Sequence, residues 1–203
     1  MLLDAAVLTI VVGALGGGRL GRLKGLELRA PGVFIVAAAV QIGVMALGAR
    51  GTPAVASVGG AVQIVTYVLL LVGLWLNRHL WGIRIAAVGV FLNFLVIVAN
   101  GGSMPVDREL AMRAGNLRLV AMVDSQTYRS HMAATESTRL RPLGDVLSLP
   151  MLVPRPRFFS PGSVGDVFVT AGACWLILSG LGAFGLGRRR ETAAAGSNSG
   201  GSG

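Results

Sequence analysis

The sequence predicts an all-α polytopic membrane protein, a bundle of five transmembrane helices with one long segment lying outside it. Three observations carry this expectation. The 203 residues are 53% hydrophobic and only 13% charged, with a mean hydropathy of +0.70, far less charge than a soluble domain of this length needs. Apolar runs recur at the length that crosses the ~30 Å hydrocarbon core of a bilayer. The net charge of +9 sits in short basic clusters between those runs. That is the pattern of membrane anchoring, so membrane lipid is the expected partner and nucleic acid is not.

The apolar runs lie at about 2–18, 32–49, 56–77, 82–99 and 164–187, and together they make one membrane domain over 1–187. The first run carries Asp4 where a signal peptide would be basic, so it reads as a retained helix. Small residues such as Gly13, Gly17, Gly180, Gly182 and Gly185 predict close helix packing, and Gln41, Gln63, Thr66 and Asn93 predict hydrogen bonds between helices. Orientation follows from Arg19, Arg22, Lys24 and Arg29 after the first run, Arg78 and Arg84 in the 77–84 turn, and Arg188, Arg189 and Arg190 after the last. With five spans these fall on one side, against Arg50 alone in the short opposite loop. The N-terminus is therefore expected outside, the C-terminus in the cytoplasm and segment 100–163 outside. Residues 188–203 read as a basic anchor and a disordered low-complexity tail.

Two chemistries are excluded by count. Lys24, the sole lysine, lies outside every apolar run, which rules out a retinal Schiff base, and Cys174, the sole cysteine, rules out paired thiol chemistry.

The segment 100–163 is more than a linker. Over 107–123, Leu110, Ala114, Leu117 and Ala121 share one helical face while Arg108, Glu109, Arg113 and Arg118 point mostly away, which predicts an amphipathic helix at the membrane interface. Asp107 suits its first turn, and Pro105 keeps the fourth span from running on into it. His131 has no companion ligands nearby for a zinc site.

Two aspartates stand out against this apolar background. Asp145 follows Pro142 and Gly144 and precedes "VLSLP", and Asp166 opens the last run after "SPGSVG". The topology puts both at the extracytoplasmic boundary, joined by a stiff connection through Pro150, Pro154, Pro156 and Pro161. Two carboxyls that meet in low dielectric cannot both ionise, and a protonated and an ionised carboxyl together can activate water and protonate a leaving group. A structural role stands beside this one. Ser163 can cap the last helix with Asp166 as its first-turn acid, and Asp145 can pair with Arg139, Arg141, Arg155 or Arg157.

The elements "NGGSMPV" (100–106), "LGDV" (143–146) and "SVGDVFVTAG" (163–172) resemble an uncharacterised family of small bacterial polytopic membrane proteins, over most of 1–187. About thirty residues are also similar to lipoprotein signal peptidase, whose catalytic aspartates lie in a V-x-D-F and an F-N-x-A-D element. The resemblance places Asp145 at the first and Asp166 at the second. Ser163 stands where that family has asparagine, its G-N-x-x-D-R element has no clean counterpart, and five spans replace four. The resemblance implies the bacterial cytoplasmic membrane and an aspartyl hydrolase acting on a lipid-anchored or membrane-bound peptide. Asp145 and Asp166 would be catalytic, Asn100 and Ser163 would orient substrate, and no metal or cofactor would be needed. The alternative is a non-catalytic protein, an accessory subunit of a larger membrane complex or a lipid-binding scaffold.

Overall fold

The computed structural model describes residues 2–49, 53–125, 130–150 and 159–183. Each expected apolar run forms a helix: α1 (Leu2–Leu15), α2 (Pro31–Ala49), α3 (Pro53–Leu76), α4 (Trp81–Ala99) and, after the intervening segment, α7 (Val164–Leu181). Among the described residues, three helices are long and apolar enough to cross a membrane: Ser57–Leu76 of α3, Trp81–Ala99 and Val164–Leu181. In α1 and α2 the apolar stretches that are described are Ala5–Leu15 and Pro31–Val44. α1 stops ahead of the predicted boundary because Gly17 turns the chain with φ +81°, a conformation that costs glycine nothing. α7 likewise ends at a left-handed Gly182, whose N–H bonds back to the helix.

The helices pack in the order α2–α3–α4–α7–α1. The α4–α7 seam is built from glycines seven residues apart on both antiparallel helices. A Cβ at Gly82 would stand 2.5 Å from the Gly172 carbonyl, and one at Gly89 would strike the Gly165 carbonyl. The obstacles are backbone, so the two helices touch main chain to main chain. Gly13 of α1 makes room for the Leu181 side chain, whereas Gly17, the other glycine of that GxxxG spacing, has nothing within 4 Å. The bundle is inverted relative to a soluble protein. Gln63, Thr66, Asn77 and Asn93 are buried while Ile35, Ile42, Trp75, Trp81 and Phe91 are exposed.

At the end holding the α3–α4 turn, buried Asn77 clamps the entry to α2. Its side chain accepts from the Arg29 N–H at 2.7 Å and donates to the Arg29 carbonyl at 2.8 Å. Arg78 and Arg84 lie over the Trp75 and Trp81 rings at 4.5 and 4.7 Å.

The opposite end carries a small α/β cap over 100–163. Strand β1 (Met104–Val106) pairs in parallel with β2 (His131–Ala133), while β3 (Leu147–Pro150) and β4 (Phe159–Gly162) form a separate antiparallel pair. A short 3-10 turn, Arg141–Leu143, precedes β3. The single amphipathic helix expected over 107–123 is instead two, α5 (Arg108–Arg113) and α6 (Leu117–Ser125), broken at Gly115 with φ +64°. The buried face differs from the expected one as well. Ala111, Leu119 and Val123 pack with Val106, whereas Leu117 is 71% exposed. The break rotates α6 relative to α5, so one helical periodicity cannot describe both.

Candidate functional site

The two aspartates are held by different parts of the fold. Asp166 belongs to the bundle. Ser163 caps α7 by accepting from the Asp166 N–H at 3.0 Å, and Asp166 Oδ2 accepts from the Ser163 N–H at 3.1 Å, a reciprocal capping box. The remaining groups reach α4. Asn93 Nδ2 donates to Asp166 Oδ1 at 3.1 Å, and the Ser163 hydroxyl donates to Asn93 Oδ1 at 2.8 Å. Gly165 is required here, since a Cβ would strike the Asn93 amide.

Asp145 belongs to the cap. Its N–H donates to the Pro105 carbonyl at 2.8 Å and its carbonyl accepts from Asp107 N–H at 3.1 Å, so it adds a bridge to the edge of β1 opposite β2. Gly144 lets the chain come this close, because a Cβ there would stand 2.8 Å from the Pro105 carbonyl. The three-residue β1 thus fixes both His131, on β2, and Asp145.

Burial and the negative charge of Asp166 push the Asp145 carboxyl up to about 7. Burial pushes the His131 imidazole down to about 4, although the Asp166 charge opposes the shift. His131 Nδ1 lies 2.8 Å from the hydroxyl of buried Ser130. Among the described residues neither aspartate is ion-paired to an arginine. Arg139 and Arg141 do not hold Asp145, and Arg155 and Arg157 lie outside the described residues.

A cavity of about 390 Å³ opens between α2, α3, α4 and α7, with Asp166, Asn93 and Tyr67 in its wall. Asp145 is not part of that wall. The size is that of a small-molecule site.

Of the four residues singled out in the sequence, Ser163 and Asp166 come together in the capping box, while Asp145 and Asn100 are held in other parts of the fold. The Asn100 side chain donates to the Val96 and Arg139 carbonyls, both at 2.8 Å, and accepts from Arg139 N–H at 3.1 Å. These bonds pin the cap to the end of α4. From the sequence, Asn93 is only a generic helix–helix bond, His131 is weighed only as a zinc ligand, and Tyr67 is not singled out. The α4–α7 seam is what brings Asn93 to Ser163 and Asp166.

What these features define is a helical protein with three span-length apolar helices and a small cap of short strands and helices among the described residues. Residues 25–178 match the model of a family of unknown function, DUF5317, and the chain belongs to that family. No curated protein matches the chain, and no solved structure does.

Proposed function

We propose that the protein is a membrane-embedded aspartyl hydrolase that cleaves a lipid-anchored or membrane-bound peptide, with Asp145 and Asp166 as the catalytic pair. One observation carries the reading: of two carboxyls held by separate parts of the fold and without a basic partner among the described residues, that of Asp145 sits in the field of Asp166. One of them lines a cavity.

Asp166 keeps two acceptor positions beyond the bonds from Asn93 and Ser163. From there it takes a proton from water as the oxygen attacks the scissile carbonyl. Asp145, whose carboxyl holds its proton up to near neutrality, donates to the carbonyl oxygen. On collapse of the tetrahedral intermediate the C–N bond breaks, the proton taken up by Asp166 passes to the leaving amine, and the re-forming carbonyl returns its proton to Asp145. In this reading α1 and α2 also span the membrane, helped by flanking basic residues. The five-span chain then has its N-terminus outside, its C-terminus in the cytoplasm and the cap on the extracytoplasmic face of the bacterial membrane. The exposed apolar side chains of the five helices support burial in lipid.

The test is cleavage of a membrane-anchored peptide library by purified protein. Asp145→Asn and Asp166→Asn should each abolish it while the protein stays folded, and the double variant should be no worse than either single one. A wild type that cleaves nothing ends the proposal. The capping box favours a second reading, a non-catalytic accessory subunit or lipid-binding scaffold, in which Asp166→Asn costs roughly 1 kcal/mol of stability and there is no activity to lose.

A further inference from the structure

We infer that the cavity between α2, α3, α4 and α7 is a binding slot for a single-chain amphiphile whose polar end is a protonated amine. Its wall changes character along the helix axes. Asp166, Asn93, Gln63 and Gln41 lie toward the cap, and Val169, Val90, Leu70 and Phe34 lie deeper. From Gln41 to Phe34 is seven residues, about 10 Å of helix rise, so the slot is an elongated pocket, polar at the cap end and apolar inside. A ligand matched to it has a polar head and one apolar chain that can pass out beside Ala38, an exposed residue of the wall.

Charge decides the head group. Among the described residues, Asp166 is the only ionisable carboxyl on the wall, and no lysine, arginine or histidine lines it. A phosphate or carboxylate head would meet a negative charge with nothing to offset it. An ammonium supplies donors to the acceptor positions that the Asn93 and Ser163 bonds leave open on Asp166. The Gln41–Gln63 amide pair, bonded at 2.9 Å, forms the neutral polar wall opposite. The inference does not rest on the hydrolase reading, since a scaffold protein could carry the same slot.

Equilibrium binding tests it, with full-length protein in phosphatidylcholine nanodiscs and empty discs as background. The probes are radiolabelled dodecylamine, dodecanol and dodecanoate at neutral pH. Dodecylamine should bind saturably at one per chain, and about tenfold or more tighter than dodecanol, the worth of one charge-assisted hydrogen bond. Dodecanoate should not bind above background. Ala38→Trp, at an exposed position that folding tolerates, should weaken dodecylamine by about tenfold or more through filling the slot. Asp166→Asn, with its melting curve recorded alongside, should remove the preference for amine over alcohol. Equal retention of the three probes, no saturable amine binding, or unchanged binding by Ala38→Trp overturns the inference. None of these outcomes depends on whether a peptide is cleaved.

Discussion

Asp145 and His131 are tied to opposite edges of the same short strand and shift in opposite senses, which gives the protein a distinctive pH signature. The Asp145 carboxyl rises from 3.8 to about 7 on folding. Between those values the native state binds more protons than the unfolded chain, and stability falls as pH rises. The His131 imidazole falls from 6.5 to about 4. In that window the native state binds fewer protons, and stability rises with pH. From about pH 4.5 to 6.5 the two slopes oppose each other, so the wild-type melting temperature should be nearly flat there. Asp145→Asn should leave a curve that rises with pH, and His131→Asn one that falls. Parallel curves for all three proteins would show that the two groups are not desolvated. Of this chemistry the sequence displayed only the aspartates, each beside a glycine in apolar surroundings. The shift of His131 comes from burial under the cap, a property of strand pairing between residues 104–106 and 131–133 that no local pattern announces.

The helices themselves were legible because about twenty apolar residues in a row have few other uses. Their seams were partly so. The GxxxG pair in α1 pointed to close packing, yet the tightest contact is at the seven-residue spacing of Gly82–Gly89 against Gly165–Gly172, visible only once two helices are paired. Gly89→Ala and Gly172→Ala should each destabilise the bundle by about 1–3 kcal/mol, because the added methyl meets backbone that cannot rotate away. Gly43→Ala on α2, where nothing lies within 4 Å, should be neutral or stabilising by about 0.4–1 kcal/mol. Denaturant melts of the purified variants separate these outcomes. In the cap, the expected face was misread because Gly115 resets the helical phase. Leu119→Ala should therefore cost about 2–5 kcal/mol, and Leu117→Ala should stay within about 0.5 kcal/mol of wild type. The reverse ranking would restore the single continuous helix.

At the scale of the whole molecule the open quantity is which side each end faces. Single cysteines in a Cys174→Ser background read this out, with Ser137→Cys in the cap and Gly21→Cys in the turn after α1, both at exposed positions. In the proposed topology an impermeant thiol reagent labels the first in intact cells and the second only after lysis. The opposite pattern would place the acidic pair in the cytoplasm. The basic clusters made this arrangement legible as charge bias. The sequence could not reveal that the cap is a separate body with its own core of Val106, Ala111, Leu119 and Val123, because the strands that organise it are only three or four residues long.

The clamp between Asn100 and the Arg139 backbone gives that arrangement a mechanical meaning. Asp166 is anchored in the seam of α4 and α7 and Asp145 in a bridge to β1, so the Asn100–Arg139 clamp latches the part of the fold that holds Asp145 and not the part that holds Asp166. Asn100→Ala should release the latch without touching either acid. Amide hydrogen exchange over 139–145 should quicken while α7 keeps its protection, and the Asp145 carboxyl should relax toward an ordinary acidity as water reaches it.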